Sequence, residues 1–130
     1  MKGQRGQGLV ELALCGPMVI LLTLATVAIV QVHDAASGLE AATQAAASVA
    51  VRADDASTAV AAAERRFAAV IKLYPLRSPA VTVTVGNFLR SGEVSVASSA
   101  FVDLGWAAGL SREVRLQSRV VLHLDRWRSR

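Results

Sequence analysis

Hydrophobic and polar positions divide this chain into three regimes. The first is an unbroken apolar block. From Leu12 to Val32 there are 21 residues with no Asp, Glu, Lys, Arg or His. At about 1.5 Å of rise per residue a helix of that length covers about 32 Å, close to the hydrocarbon thickness of a bilayer. The second regime has helical spacing. Ala35, Leu39, Ala42, Ala46, Val49 and Ala53 recur at intervals of 4, 3, 4, 3 and 4, while Asp34, Ser37, Glu40, Gln44, Ser48 and Arg52 fall off that seam. The first helix therefore continues beyond the apolar block, with Gly38 as a local weak point. The small residues of the seam allow close helix approach, to the chain's own head or to a neighbouring subunit; the intrachain packing is the expectation.

A second helix is predicted from an N-cap at Asp54-Asp55 to about Leu73. Its apolar side carries Val60, Ala63, Phe67, Val70, Ile71 and Tyr74, and Pro75 ends it. After Pro79 the period changes to two. Val81, Val83 and Val85 alternate with Thr82 and Thr84, and Gly86-Asn87 closes that strand. Residues 94–102 read as a second strand, less cleanly alternating. In the third, Val114, Leu116, Ser118, Val120, Leu122 and Leu124 face one way and Arg115, Gln117, Arg119 and His123 the other. Residues 104–110, with Gly105, Trp106 and Gly109, read as a connecting loop. The predicted fold class is α+β: a long N-terminal transmembrane helix extending into a stalk, a second helix, and a small antiparallel sheet of about three strands.

The flanks of the apolar block set its orientation. Lys2 and Arg5 precede it; His33, Asp34 and Glu40 follow, and Arg52 lies well beyond. The positive-inside rule places the N-terminus in the cytoplasm and the residues after Val32 outside. A secretory signal peptide has a shorter apolar region, and the nearest small-residue cleavage site, Ala35-Ala36-Ser37, comes late and follows Asp34. Leu12-Ala13-Leu14-Cys15 is a poor lipoprotein signal, because the apolar region follows the Cys. Glu11, one residue before the block, is the anomaly. It is either solvated at headgroup level or a functional carboxylate at the mouth of the span, and position alone leaves both readings open.

Gly6-Gln7-Gly8-Leu9-Val10-Glu11 resembles the processing site of type IV pilin-like proteins. The wider run from Arg5 to Leu14, with Pro17 six residues beyond Glu11, is similar to the TadE-like minor pilins or pseudopilins of tight-adherence systems. The resemblance is specific over about residues 5–35 and general beyond. It implies a basic leader, residues 1–6, removed by a prepilin peptidase between Gly6 and Gln7, so that Glu11 becomes the fifth residue of the mature chain. It implies a transmembrane helix over 7–33, a helical stalk over 34–53 and an extracytoplasmic head over 54–130. Glu11 would then serve processing and assembly by meeting the N-terminal amine of a neighbouring subunit. The implied partners are the prepilin peptidase, other pilin-like subunits, the inner-membrane pilus assembly platform and the lipid bilayer. The implied location is the bacterial cytoplasmic membrane, as a single-pass protein, with incorporation into a surface pilus left open. Leu12 departs from the aromatic residue common at that position in the major pilins, which are also much shorter and lack such a head. The expected role is therefore that of a minor subunit.

Composition adds exclusions. The net charge of +4 falls to +2 when Lys2 and Arg5 are set aside, so the head is only mildly basic and no nucleic-acid partner is expected. Arg65, Arg66 and Lys72 read as a solvated face, and Arg126-Trp127-Arg128-Ser129-Arg130 as a solvated tail. Cys15 is the only cysteine and reads as a packing residue; Pro17 reads as a tolerated break in the helix, and Thr23 and Thr26 as bonding back to helix carbonyls. His33 and His123 are isolated and lack metal-ligand spacing. No catalytic residue, metal ligand or cofactor is expected, and the chain is not expected to be an enzyme. The alternative to a pilin-like subunit is an uncleaved single-pass anchor holding an extracytoplasmic binding module, in which Glu11 is incidental.

Overall fold

A single helix, α1 (Gly3–Ala50), runs from the glycine-rich start through the apolar block and into the core of the head. The computed structural model describes residues 3–86, 92–108 and 112–124. Met1, Lys2, Asn87, Gly109, Leu110 and the basic tail from Arg126 to Arg130, named above, lie outside the described residues, as does the side chain of Arg5. Helix α2 (Ala56–Ile71) follows, then strands β1 (Arg77–Val85) and β2 (Glu93–Asp103), the one-turn helix α3 (Gly105–Ala108) and strand β3 (Glu113–His123). The three strands form an antiparallel sheet in the order β1-β2-β3. The fold is α+β, as the pattern predicts.

The upper half of α1 is part of the core, packed against the chain's own head as its small-residue seam suggested. Ala35, Leu39, Ala42, Thr43, Ala46, Ala47 and Ala50 are all buried. Thr43, Ala47 and Ala50 lie off the seam read from the sequence, while Val49 and Ala53 on it are only half-buried. The reason is geometric. A strict 3.5-residue seam drifts around a straight helix, and α1 is covered on two sides, by α2 and by the sheet, which widens the buried stripe. Alanines line the approach of the two helices, with Ala59 and Ala63 from α2 also fully buried. Phe67 and Ile71 extend the same face toward the far end of α2. Gly38 has a use that helix propensity hides. A Cβ there would overlap the ring of Tyr74, so the glycine admits the aromatic that closes the end of α2.

Helix α2 begins where its cap is supplied. Asp55 Oδ1 accepts from the Thr58 backbone N–H at 2.7 Å and from the Ser57 hydroxyl at 2.7 Å, and Oδ2 accepts from the Thr58 hydroxyl at 2.9 Å. These bonds, the Thr58 backbone N–H first, hold the Asp55 carboxyl below the usual carboxylate range. The helix ends at Ile71, two residues earlier than expected, with Lys72 as its C-cap.

In the sheet, β2 is central and, after the exposed Glu93, alternates between buried and half-buried positions. Its inward residues are Val94, Val96, Ser98, Ala100 and Val102. The sequence pattern is blurred because Ser98 takes a core position, where its hydroxyl meets the buried Thr43 hydroxyl at 2.5 Å. Thr43 also donates to the Leu39 carbonyl at 2.7 Å. Strand β1 is an edge strand and starts before Pro79, at Arg77. A register shift between Arg77 and Ala80 absorbs the proline, and Ser78 there adopts φ 46°. Residues 104–110 are not wholly loop: α3 forms one turn, its start held by Asp103 Oδ1 accepting from Gly105 N–H at 2.8 Å.

Candidate processing and assembly segment

The residues singled out near the N-terminus all lie on the first turns of α1. Gly6, Gln7 and Glu11 are exposed, and Gln7 and Glu11 sit four residues apart, on one helix face. A Cβ built at Gly6 or Gly8 meets nothing within 4 Å. Among the described residues, packing therefore gives no reason for glycine at either position. Three glycines in the first six residues of the helix, at 3, 6 and 8, each weaken it by about 1 kcal/mol relative to alanine. Local unwinding of α1 is cheapest where the motif lies. Glu11 has no hydrogen bond or ion pair among the described residues.

Beyond Glu11 the stem is apolar, and among the described residues most of its side chains lie open. Leu12, Leu14, Met18, Ile20, Leu21 and Leu22 are each more than three-fifths exposed. Among the described residues this is the one helix long and apolar enough to cross a membrane. Its polar groups are satisfied internally: Thr23 donates to the Val19 carbonyl and Thr26 to the Leu22 carbonyl, both at 2.8 Å. Pro17 sits inside the helix, where its ring removes one backbone donor. Cys15 is a free, exposed thiol. His33 on α1 and His123 at the end of β3 are both exposed.

Sequence reasoning missed a second feature, where the stem enters the head. Trp106 of α3 donates from Nε1 to Gln31 Oε1 at 2.8 Å, a contact across 75 positions of sequence. Beside it lies a cleft of about 490 Å³, to which Asp34, Ser37, Tyr74 and Asp103 contribute. Asp103 is held by Arg77, with Nη2 to Oδ2 at 3.0 Å, while its other oxygen caps α3. An isolated Trp between two glycine-containing segments was the available signal, but nothing local says that it folds back onto Gln31.

Residues 6–48 match the family model described as TadE-like protein. No curated protein and no solved structure matches the chain at a significant level. The match begins at Gly6 and covers the exposed motif, the apolar stem and most of the helix buried in the head. The match covers 43 of the chain's 130 residues, and over that segment the chain is similar to TadE-like proteins.

Proposed function

We propose that the chain is a minor pilin or pseudopilin, cut by a prepilin peptidase between Gly6 and Gln7 and then assembled through its stem with other pilin-like helices. The observation that carries this reading is the coincidence of the TadE-like match with an unpartnered motif. Gly6 and Glu11 have no packing or pairing role inside the chain among the described residues, and the match starts at that glycine. Cleavage would create a cationic α-amine on Gln7, with a reference pKa of about 7.7–8.0, at the positive end of the helix. A neighbouring Glu11 carboxylate answers that charge, and the pairing offsets the desolvation of both groups in the bilayer. The largely exposed apolar stem serves first as a single-pass anchor and then as the packing surface of a filament or assembly complex. The role is structural and requires no catalysis by this chain.

The mass of the mature N-terminus, measured on protein extracted from native-host membranes, tests the reading. The expected chain begins at Gln7, and Gly6→Leu, which fills the space that the peptidase needs at the backbone, should leave it unprocessed. A chain still beginning at Met1 in cells with an active prepilin peptidase would instead make this an uncleaved anchor for an extracytoplasmic binding module. Glu11 would then be incidental.

A further inference from the structure

The cleft beside Trp106 opens at a defined depth. Gln31 belongs to the last turn of the uncharged block, which ends at Val32, and Asp34 is the first carboxylate after it. With residues 12–32 spanning the bilayer, as the proposed function holds, the cleft lies among the lipid headgroups of the outer leaflet. Tyr74 and Trp106, one half-buried and one about half exposed, sit where interfacial aromatics collect.

Its chemistry is that of a cation site. Among the described residues the lining carries two carboxylates, Asp34 and Asp103, and no basic side chain. Asp103 is already engaged by Arg77 and by the backbone of Gly105. Asp34 has no partner among the described residues, and the Ser37 hydroxyl lines the same space. Trp106 and Tyr74 also line the cleft, and aromatic rings attract a cation placed over a face. Trp106 is kept in place, although 48% exposed, by its bond to Gln31 and by the capped turn of α3. A volume of about 490 Å³ falls within the range of about 300–1,000 Å³ usual for small-ligand sites.

We propose that this cleft binds the primary ammonium of an ethanolamine phospholipid headgroup, with Asp34 as counter-charge and Trp106 and Tyr74 as the aromatic walls. A primary ammonium suits the site better than a quaternary one. It has three N–H donors for the Asp34 carboxylate and the Ser37 hydroxyl, whereas choline is recognised by a fuller aromatic cage. The site would fix the height and tilt of the head over the membrane before the subunit leaves it.

The test uses the full chain with Trp127→Phe, which leaves Trp106 as the lone tryptophan of two. It is reconstituted into phosphatidylcholine vesicles holding increasing fractions of phosphatidylethanolamine or of phosphatidylglycerol. Trp106 emission should respond saturably to phosphatidylethanolamine and not to phosphatidylglycerol. Asp34→Asn, a change at an exposed position, should raise the half-saturating fraction about tenfold through loss of a charge-assisted bond. An equal response to both added lipids, or one unaltered by Asp34→Asn, would overturn the proposal. Co-flotation with vesicles of every composition reads the span separately. A chain that floats but shows no ethanolamine preference refutes the cleft alone, and one that does not float refutes the span as well.

Discussion

The two halves of α1 are one continuous helix under opposite rules. Below Gln31 the side chains are mostly large and apolar and, among the described residues, largely exposed. From Ala35 upward they are small, and seven of them disappear into the head. Bulky apolar residues suit a surface that meets lipid or other stems, where filling space matters more than closeness. Alanine and glycine suit a helix crossed by another helix and a sheet at once, because only small side chains allow both to approach. The same backbone is thus specified for two environments by side-chain size, since both halves are rich in apolar residues.

The contrast can be broken most severely from the buried side. Ala46→Leu forces extra volume into a site with no free space and should destabilise the head by about 1–3 kcal/mol or more. Leu21→Ala, in the exposed half, should leave head unfolding unchanged. Denaturant unfolding of the full chain in micelles, followed by near-ultraviolet circular dichroism, compares the two. Equal effects would show that the halves are not energetically distinct. A comparable or smaller loss is expected from Thr43→Val, which leaves the Ser98 hydroxyl buried without its partner, about 1–3 kcal/mol by the same measurement. Ser98→Ala should cost less, because Thr43 keeps its bond to the Leu39 carbonyl. The double variant should cost less than the sum of the two.

The smallest effect sharpens the boundary of the head. The Asp55 carboxyl is depressed by its capping bonds, so the stability it adds is present above the unfolded carboxylate value of about 3.9. That stability is lost as pH falls through the lower folded value. The gap in melting temperature between the wild type and Asp55→Ala should therefore be constant from pH 7 to pH 5 and shrink below about pH 4. A gap that grows in acid would contradict the cap.

Much of the fold was legible because its signals are local. The alternation of β3 from Val114 to Leu122 is the alternation observed, with polar Ser118 inward and apolar Val121 outward as its exceptions. The buried stripe of α1 was only half legible, since alanine occurs on every face of residues 35–50 and gives little contrast between inside and outside. Thr43 and Ser98 read as polar and sit in the core because they satisfy each other, a fact that neither neighbourhood contains. The motif from Gly6 to Glu11 was legible because it is contiguous. The cleft was not, because it needs α1, the end of α2 and α3 together.

The unbroken course of α1 from Gly3 to Ala50 has a mechanical consequence. No loop separates the stem from the core, so a rotation of the stem about its axis turns the sheet with it. In an array of packed stems, the angle between neighbouring helices would be copied outward as the bearing of each head. One residue inserted between Val32 and Ala35 would swing the head by about 100° and raise it by about 1.5 Å. The length of this helix, counted in single residues, thus acts as a dial for the direction in which the sheet faces.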